Sequence, residues 1–175
     1  REPWYSRLFT KQGGRLPASL RGYLGRKIRP GRATQQRVAA ARALSIVGTN
    51  AAAAVPDLVT GLEDADLRWA AAQALACIGS PAISALAQAT THQDASVRHA
   101  AVYGLGQAGA NAWPATEALL DRVRDSSTTV QASAVYSLGQ GGPRGVATVL
   151  GSFSTDDPQR REAGVRAIKA MNTPP

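Results

Sequence analysis

Cysteine occurs once in 175 residues, at Cys77, so no disulfide can close within this chain and the redox compartment is left open. Histidine occurs twice, at His92 and His99. Neither shares a helical face or a ligand spacing such as C-x-x-C with the cysteine, which argues against a zinc site. Acidic residues are nearly missing from the start, where Glu2 stands alone before residue 36 against nine Lys and Arg, while the remainder carries eleven of each sign. The net charge of +8 therefore belongs to an N-terminal arm, and the rest of the chain is electrically balanced. No uninterrupted apolar run reaches the roughly 18 residues that span a bilayer, and no signal-peptide pattern is present. Arg1 is not an initiator methionine, which leaves room for a signal or anchor ahead of it. Bulky apolar side chains are scarce too: much of the 44% apolar content is alanine, and aromatics make up 5%. Alanine-rich helices approach closely and bury little area each, a composition suited to many thin layers rather than one thick core.

What is present is repetition. A helical phrase recurs five times, beginning Arg37-Val38-Ala39-Ala40, Arg68-Trp69-Ala70-Ala71, Arg98-His99-Ala100-Ala101, Gln131-Ala132-Ser133-Ala134 and Arg161-Glu162-Ala163-Gly164. Its anchors Leu44, Leu75, Leu105, Leu138 and Ile168 are 31, 30, 33 and 30 residues apart. A fixed period of that size marks a solenoid, because one unit cannot bury its apolar face without a neighbour. Gly48, Gly79, Gly109 and Gly142, with Asn172 in the fifth copy, fall just past each phrase and are expected to close it in a left-handed conformation. Second apolar stretches follow the first four phrases, at 55–62, 82–89, 113–123 and 146–153, and turns rich in Asp, Ser and Thr then cap the next phrase. The unit reads helix, turn, helix, loop.

The run from Asp94 through Val97-Arg98 and the alanines to Gly104-Leu105-Gly106 and Gly109 resembles the short HEAT-type repeats of bacterial proteins, the subgroup similar to those of phycobilisome lyases. The resemblance extends over residues 36–171 and implies an all-α, right-handed solenoid of about five repeats over 36–175, in a bacterial cytoplasm or at a membrane periphery. It also implies a ladder in which the turn Asp of one repeat meets the phrase Arg of its neighbour. Gln131 replaces that arginine in the fourth copy, so the ladder is expected to be interrupted there. Residues 1–35 form a basic extension, and Leu16, Leu20, Leu24 and Ile28 recur every four residues as a degenerate capping helix.

Catalytic and cofactor patterns dissolve into the repeat. Residues 104–109 fit G-x-G-x-x-G, yet that motif binds a dinucleotide only as the turn from a strand into a helix, and here it ends a helix. Asp64 with Asp66, and Asp156 with Asp157, lie in the inter-helix turns, where capping and the ladder explain them. Serines sit in turns and helix starts, with no histidine in register to activate them. The reading is therefore of a non-enzymatic protein with no cofactor and no metal.

Binding is the better expectation. With Val97, Ala101, Leu105 and Ala108 turned inward, the opposite side of each phrase carries Arg42, Trp69, Gln73, His99, Tyr103, Gln107, Tyr136, Gln140 and Arg166. In solenoids of this kind that side is concave, and aromatics and amides flanked by arginines offer a protein partner flat apolar area and hydrogen bonds. In the arm, Trp4, Tyr5, Arg7, Leu8, Phe9, Arg21, Arg26, Lys27 and Arg29 interleave aromatic and basic side chains, a pattern for an acidic protein or an anionic membrane surface. The function expected is a protein-interaction scaffold or accessory subunit of a larger, membrane-associated complex. The rivals are a nucleic-acid-binding HEAT protein, which the neutral repeats disfavour, and a bilin-lyase-like enzyme, which only the repeat subtype supports.

Overall fold

The computed structural model describes residues 33–154 and 156–172; the capping helix and arm expected before residue 33 lie outside the described residues. Among the described residues all regular structure is helical, in the order α1 (Ala33–Val47), α2 (Val55–Gly61), α3 (Arg68–Ile78), α4 (Ser80–Ala89), α5 (Ala95–Ala108), α6 (Thr116–Arg122), α7 (Thr128–Gln140), α8 (Gly142–Gly151) and α9 (Pro158–Asn172). The repeated phrases are α1, α3, α5, α7 and α9. Each packs on the next in chain order, and α2, α4, α6 and α8 form a second layer against them. Among the described residues the fifth copy contributes its phrase helix. The chain is thus an all-α solenoid whose period is the one in its sequence.

Alanine sets the thickness of the layers. Ala71, Ala72, Ala74, Ala100, Ala101 and Ala134 are fully buried, where a larger side chain would force the packed helices apart. Bulk comes mainly from leucines and isoleucines, among them Leu44, Leu58, Leu62, Leu75, Ile78, Leu86, Leu105, Leu120 and Leu138, which belong to one continuous core cluster. Burying each such side chain stabilises by about 1.5–3 kcal/mol. No layer holds more than a few, so each depends on its neighbours.

Glycines of positive φ follow three phrases as expected, Gly48, Gly79 and Gly109, whereas α7 ends at Gly141 in a right-handed conformation (φ −67°) and Gly142, at φ 65°, opens α8. Gly79 has φ 76° and ψ −138°, and Gly109 has φ 54° and ψ −129°. The positive φ matches the expected left-handed closure, whereas the ψ does not; this region is in practice open to glycine only, which is why asparagine does not stand in at these corners. Asn172 is instead the last residue of α9. Two of the second stretches also begin with a 3-10 segment, Gly48–Ala54 and Gly109–Ala115, which shortens α2 and α6 and leaves Trp113 outside α6. Proline marks the entry of the second layer in three of the four pairs: Pro56, Pro81 and Pro143 occupy the first turn of α2, α4 and α8, where a missing N–H costs nothing.

Within the helical stretch Thr34–Gly61 an 18-residue window has a mean hydropathy of 1.4, enough by length and composition alone to cross a bilayer, although no uninterrupted apolar run of that length occurs. Its sequence carries Arg37, Arg42 and Asp57, and Gly48 at φ 60° breaks it into α1 and α2. Its apolar face, with Ala41, Leu44 and Leu58, packs into the stack as the first repeat.

Candidate functional site

The Asp–Arg ladder runs along the loops, and its geometry is structural. Arg37 Nη1 donates to Asp64 Oδ2 at 2.6 Å, Arg68 Nη2 lies 3.7 Å from Asp94 Oδ2, and Arg98 holds Asp125 through Nε at 2.9 Å and Nη2 at 2.7 Å. The last pair is buried at both ends. Burial pushes the Asp125 carboxyl up, but the hydrogen bonds from Arg98 and the Ser127 N–H, with the charges of Arg98 and Arg122, outweigh it and hold the group below its usual value. In Asp64 the Arg37 hydrogen bond leads and the net direction is the same. At Gln131 the ladder stops as expected, because the Gln131 amide turns back to donate to the Asp125 carbonyl of its own loop. These carboxylates are engaged in capping and pairing, the roles expected from the sequence. A cleft of about 370 Å³ nearby, lined by Asp121, Arg122, Arg124 and Asp157 among others, sets two cations against two anions and so offers no net charge to a ligand.

The glycines of the G-x-G-x-x-G run are packing devices. Gly104 and Gly106 lie inside α5, and a Cβ on Gly104 would stand 3.1 Å from the Ala72 carbonyl oxygen of α3. A Cβ on Gly106 would stand 2.4 Å from Ser137 Oγ of α7. Nothing here leaves free N–H groups for a phosphate.

On the outward side of the phrase helices, the side chains expected to form a stripe split into two sets. Arg42, Trp69, Gln73, His99 and Tyr103, from α1, α3 and α5, line one groove of about 450 Å³, with Ala70 as its remaining wall. Trp69 is its centre, with the His99 ring 5.0 Å away at 85° and the Tyr103 ring 5.4 Å away at 87°. Both contacts are edge-to-face, the arrangement that the charge distribution of aromatic rings favours. Trp69 remains 46% exposed, so the cluster is open to a ligand rather than closed into the core. Burial lowers the His99 pKa from its usual 6.5, and the imidazole is neutral at pH 7. Arg42 is exposed, and among the described residues no carboxylate pairs with it.

Gln107, Tyr136, Gln140 and Arg166 lie outside this groove. Gln107, Gln140 and the 61% exposed Tyr136 face solvent on α5 and α7, and Arg166 is held by Glu162 one turn earlier at 2.7 Å. The row that contains Gln107 and Gln140 begins with Ile46 and Cys77, both exposed, and neither belongs to the stripe expected from the sequence. Their signal is in the spacing, ten residues into each phrase. Ala70 escapes sequence reasoning for another reason: as the small residue beside Trp69 it passes for a core alanine. The arm residues Trp4, Tyr5, Arg7, Leu8, Phe9, Arg21, Arg26, Lys27 and Arg29 lie outside the described residues.

Stacked helix pairs with an aromatic groove on one face, tied by an Asp–Arg ladder across their loops, define the class: a helical-repeat solenoid. The family model for HEAT repeats matches residues 55–139, and that for the PBS lyase HEAT-like repeat matches residues 36–64. The chain belongs to the HEAT-repeat proteins. Among solved structures it is similar to the complex of CpcE and CpcF of phycocyanin lyase from Nostoc sp. PCC7120, at 23% identity and a TM-score of 0.50 over 88% of this chain and 96% of that one. It is also similar to an engineered protein at 21% identity and a TM-score of 0.42, over 89% of this chain and 80% of that one. No curated protein matches. The likeness to the phycocyanin lyase complex is one of fold.

Proposed function

We propose that this chain is a non-enzymatic docking module, an accessory subunit that holds a protein partner in the groove at Trp69. The observation that carries this reading is the open edge-to-face cluster of Trp69, His99 and Tyr103, contributed by two successive repeats and flanked by Arg42 and Gln73. Half-exposed aromatics held rigid by their neighbours lose little conformational freedom on binding, and Trp and Tyr dominate the energetics of protein interfaces. The solved neighbour is itself a complex of two proteins, which supports a protein as the class of partner. The arm adds a second attachment, because nine cations against one anion before residue 36 favour an acidic protein or an anionic membrane surface.

The test is affinity capture from native cytosol and membranes with the wild-type chain and with Trp69→Ala/Tyr103→Ala, both shown to be folded by circular dichroism. The double variant is expected to bind a wild-type partner more weakly by over about 1 kcal/mol, the usual mark of a residue that matters at an interface. Identical retention by both chains would place the docking surface elsewhere.

A further inference from the structure

The groove's charge and length define what it holds. Resting on the docking reading, we propose that its ligand is an extended peptide segment carrying a carboxylate close to a bulky apolar side chain, the carboxylate meeting Arg42 and the apolar side chain lying on Trp69 and Tyr103. Of the residues that line the groove, Arg42 alone is charged at pH 7, and none is an acid. An exposed guanidinium with no carboxylate to answer it among the described residues, at one end of an apolar floor, is complementary to an anion and repels a cation. That disfavours the basic bulk of the chain's own arm, whose one acid is Glu2, two residues from Trp4. A nucleic acid is disfavoured as well, since one arginine offers a single phosphate contact where binding rests on several.

The dimensions agree. Arg42, Trp69 and Tyr103 come from α1, α3 and α5, three successive layers, and two interhelix spacings of about 8–10 Å each span roughly 16–20 Å. An extended chain covers that distance in about five or six residues at about 3.3 Å each. Gln73 lies exposed between the ends, able to donate to and accept from a peptide backbone as it crosses α3. A groove of about 450 Å³ takes one large side chain with its flanking backbone, not a folded helix.

The experiment selects binders to the full chain from a displayed library of random twelve-residue peptides, at physiological salt, and measures the recovered peptides individually by fluorescence anisotropy. Trp69→Ala/Tyr103→Ala identifies the component that belongs to the groove and separates it from salt-sensitive binding by the arm. Groove-dependent peptides are expected to share Asp or Glu within about two residues of Leu, Phe, Tyr or Trp, to weaken about fivefold or more when the acid is replaced by its amide, and to lose that difference in Arg42→Gln. Groove-dependent peptides without an acid, or an acid-to-amide difference that survives Arg42→Gln, would overturn the acidic-segment proposal and leave the docking reading standing. Groove-dependent binding of a single-stranded oligonucleotide in preference to every peptide would overturn both. So would recovery of no groove-dependent peptide together with capture unchanged by the double variant.

Discussion

A single pair, Arg98 with Asp125, shows how this fold manages charge. Two parallel hydrogen bonds at 2.7 and 2.9 Å satisfy the carboxylate, and the guanidinium also donates to the carbonyls of His92 and Gln93 and to Ser126 Oγ. One arginine thereby fixes two loops that belong to different repeats. Replacing Asp125 removes the counter-charge and two charge-assisted hydrogen bonds, while the guanidinium keeps the His92, Gln93 and Ser126 acceptors, a loss of about 1.5–3 kcal/mol. Asp125→Asn is therefore expected to be destabilising in urea titrations at pH 7. The folded-state pKa of Asp125 lies below the usual 3.8, so its contribution is complete above that value and is lost as pH falls through the lower folded pKa. Wild-type stability should accordingly decline below about pH 4. The Asn variant, lacking this group, should decline less over the same range, and parallel acid limbs for the two proteins would show that the pair does not set acid stability.

At the scale of the helix pair, close approach decides what the phrases can contain. Because a Cβ on Gly106 would meet Ser137 Oγ at 2.4 Å, Ser137 Cβ at 3.0 Å and Ser137 Cα at 3.3 Å, α5 and α7 cannot keep their spacing once that atom is added. Ser137 also donates to the Val102 carbonyl at 3.0 Å, a buried hydrogen bond across the same contact. Gly106→Ala improves helix propensity by up to about 1 kcal/mol. Overpacking works against it by about 1–3 kcal/mol. Net destabilisation is expected, and Ser137→Gly in the same chain should recover part of it; additive effects in that double-mutant cycle would mean the two residues do not meet. The period, the helical pairs and the ladder were legible because 31-, 30-, 33- and 30-residue spacings carry leucine, glycine and arginine in register. The reason for Gly106 was not, since the atom it avoids belongs to the next repeat. The outward stripe was legible as a face, yet its division was not, because periodicity places side chains on a side without saying that Trp69 bridges to His99 and Tyr103 and leaves Tyr136 outside.

For the whole molecule, the two proposed binding properties are expected to be separable, because a solenoid is held by contacts between adjacent layers rather than by one central core. The repeats from residue 36 on are electrically balanced, and the arm before them holds the entire excess of +8. Helix α1 starts at Ala33, so removing residues 1–32 spares every described helix. The shortened chain is expected to keep its helical circular dichroism and its groove-dependent peptide affinity, since Arg42, Trp69, Gln73, His99 and Tyr103 all remain. Adsorption to anionic vesicles should behave oppositely. It should be strong for the full chain at low salt, weaken at physiological ionic strength where screening lengths fall to about 8 Å, and vanish in the shortened chain. Co-sedimentation with vesicles of mixed neutral and anionic lipid, at two salt concentrations and with both proteins, measures this directly. Vesicle binding retained by the shortened chain would assign membrane affinity to the repeats and remove the division of labour between arm and groove, whereas loss of helicity on shortening would show that the first repeat needs the arm to stand.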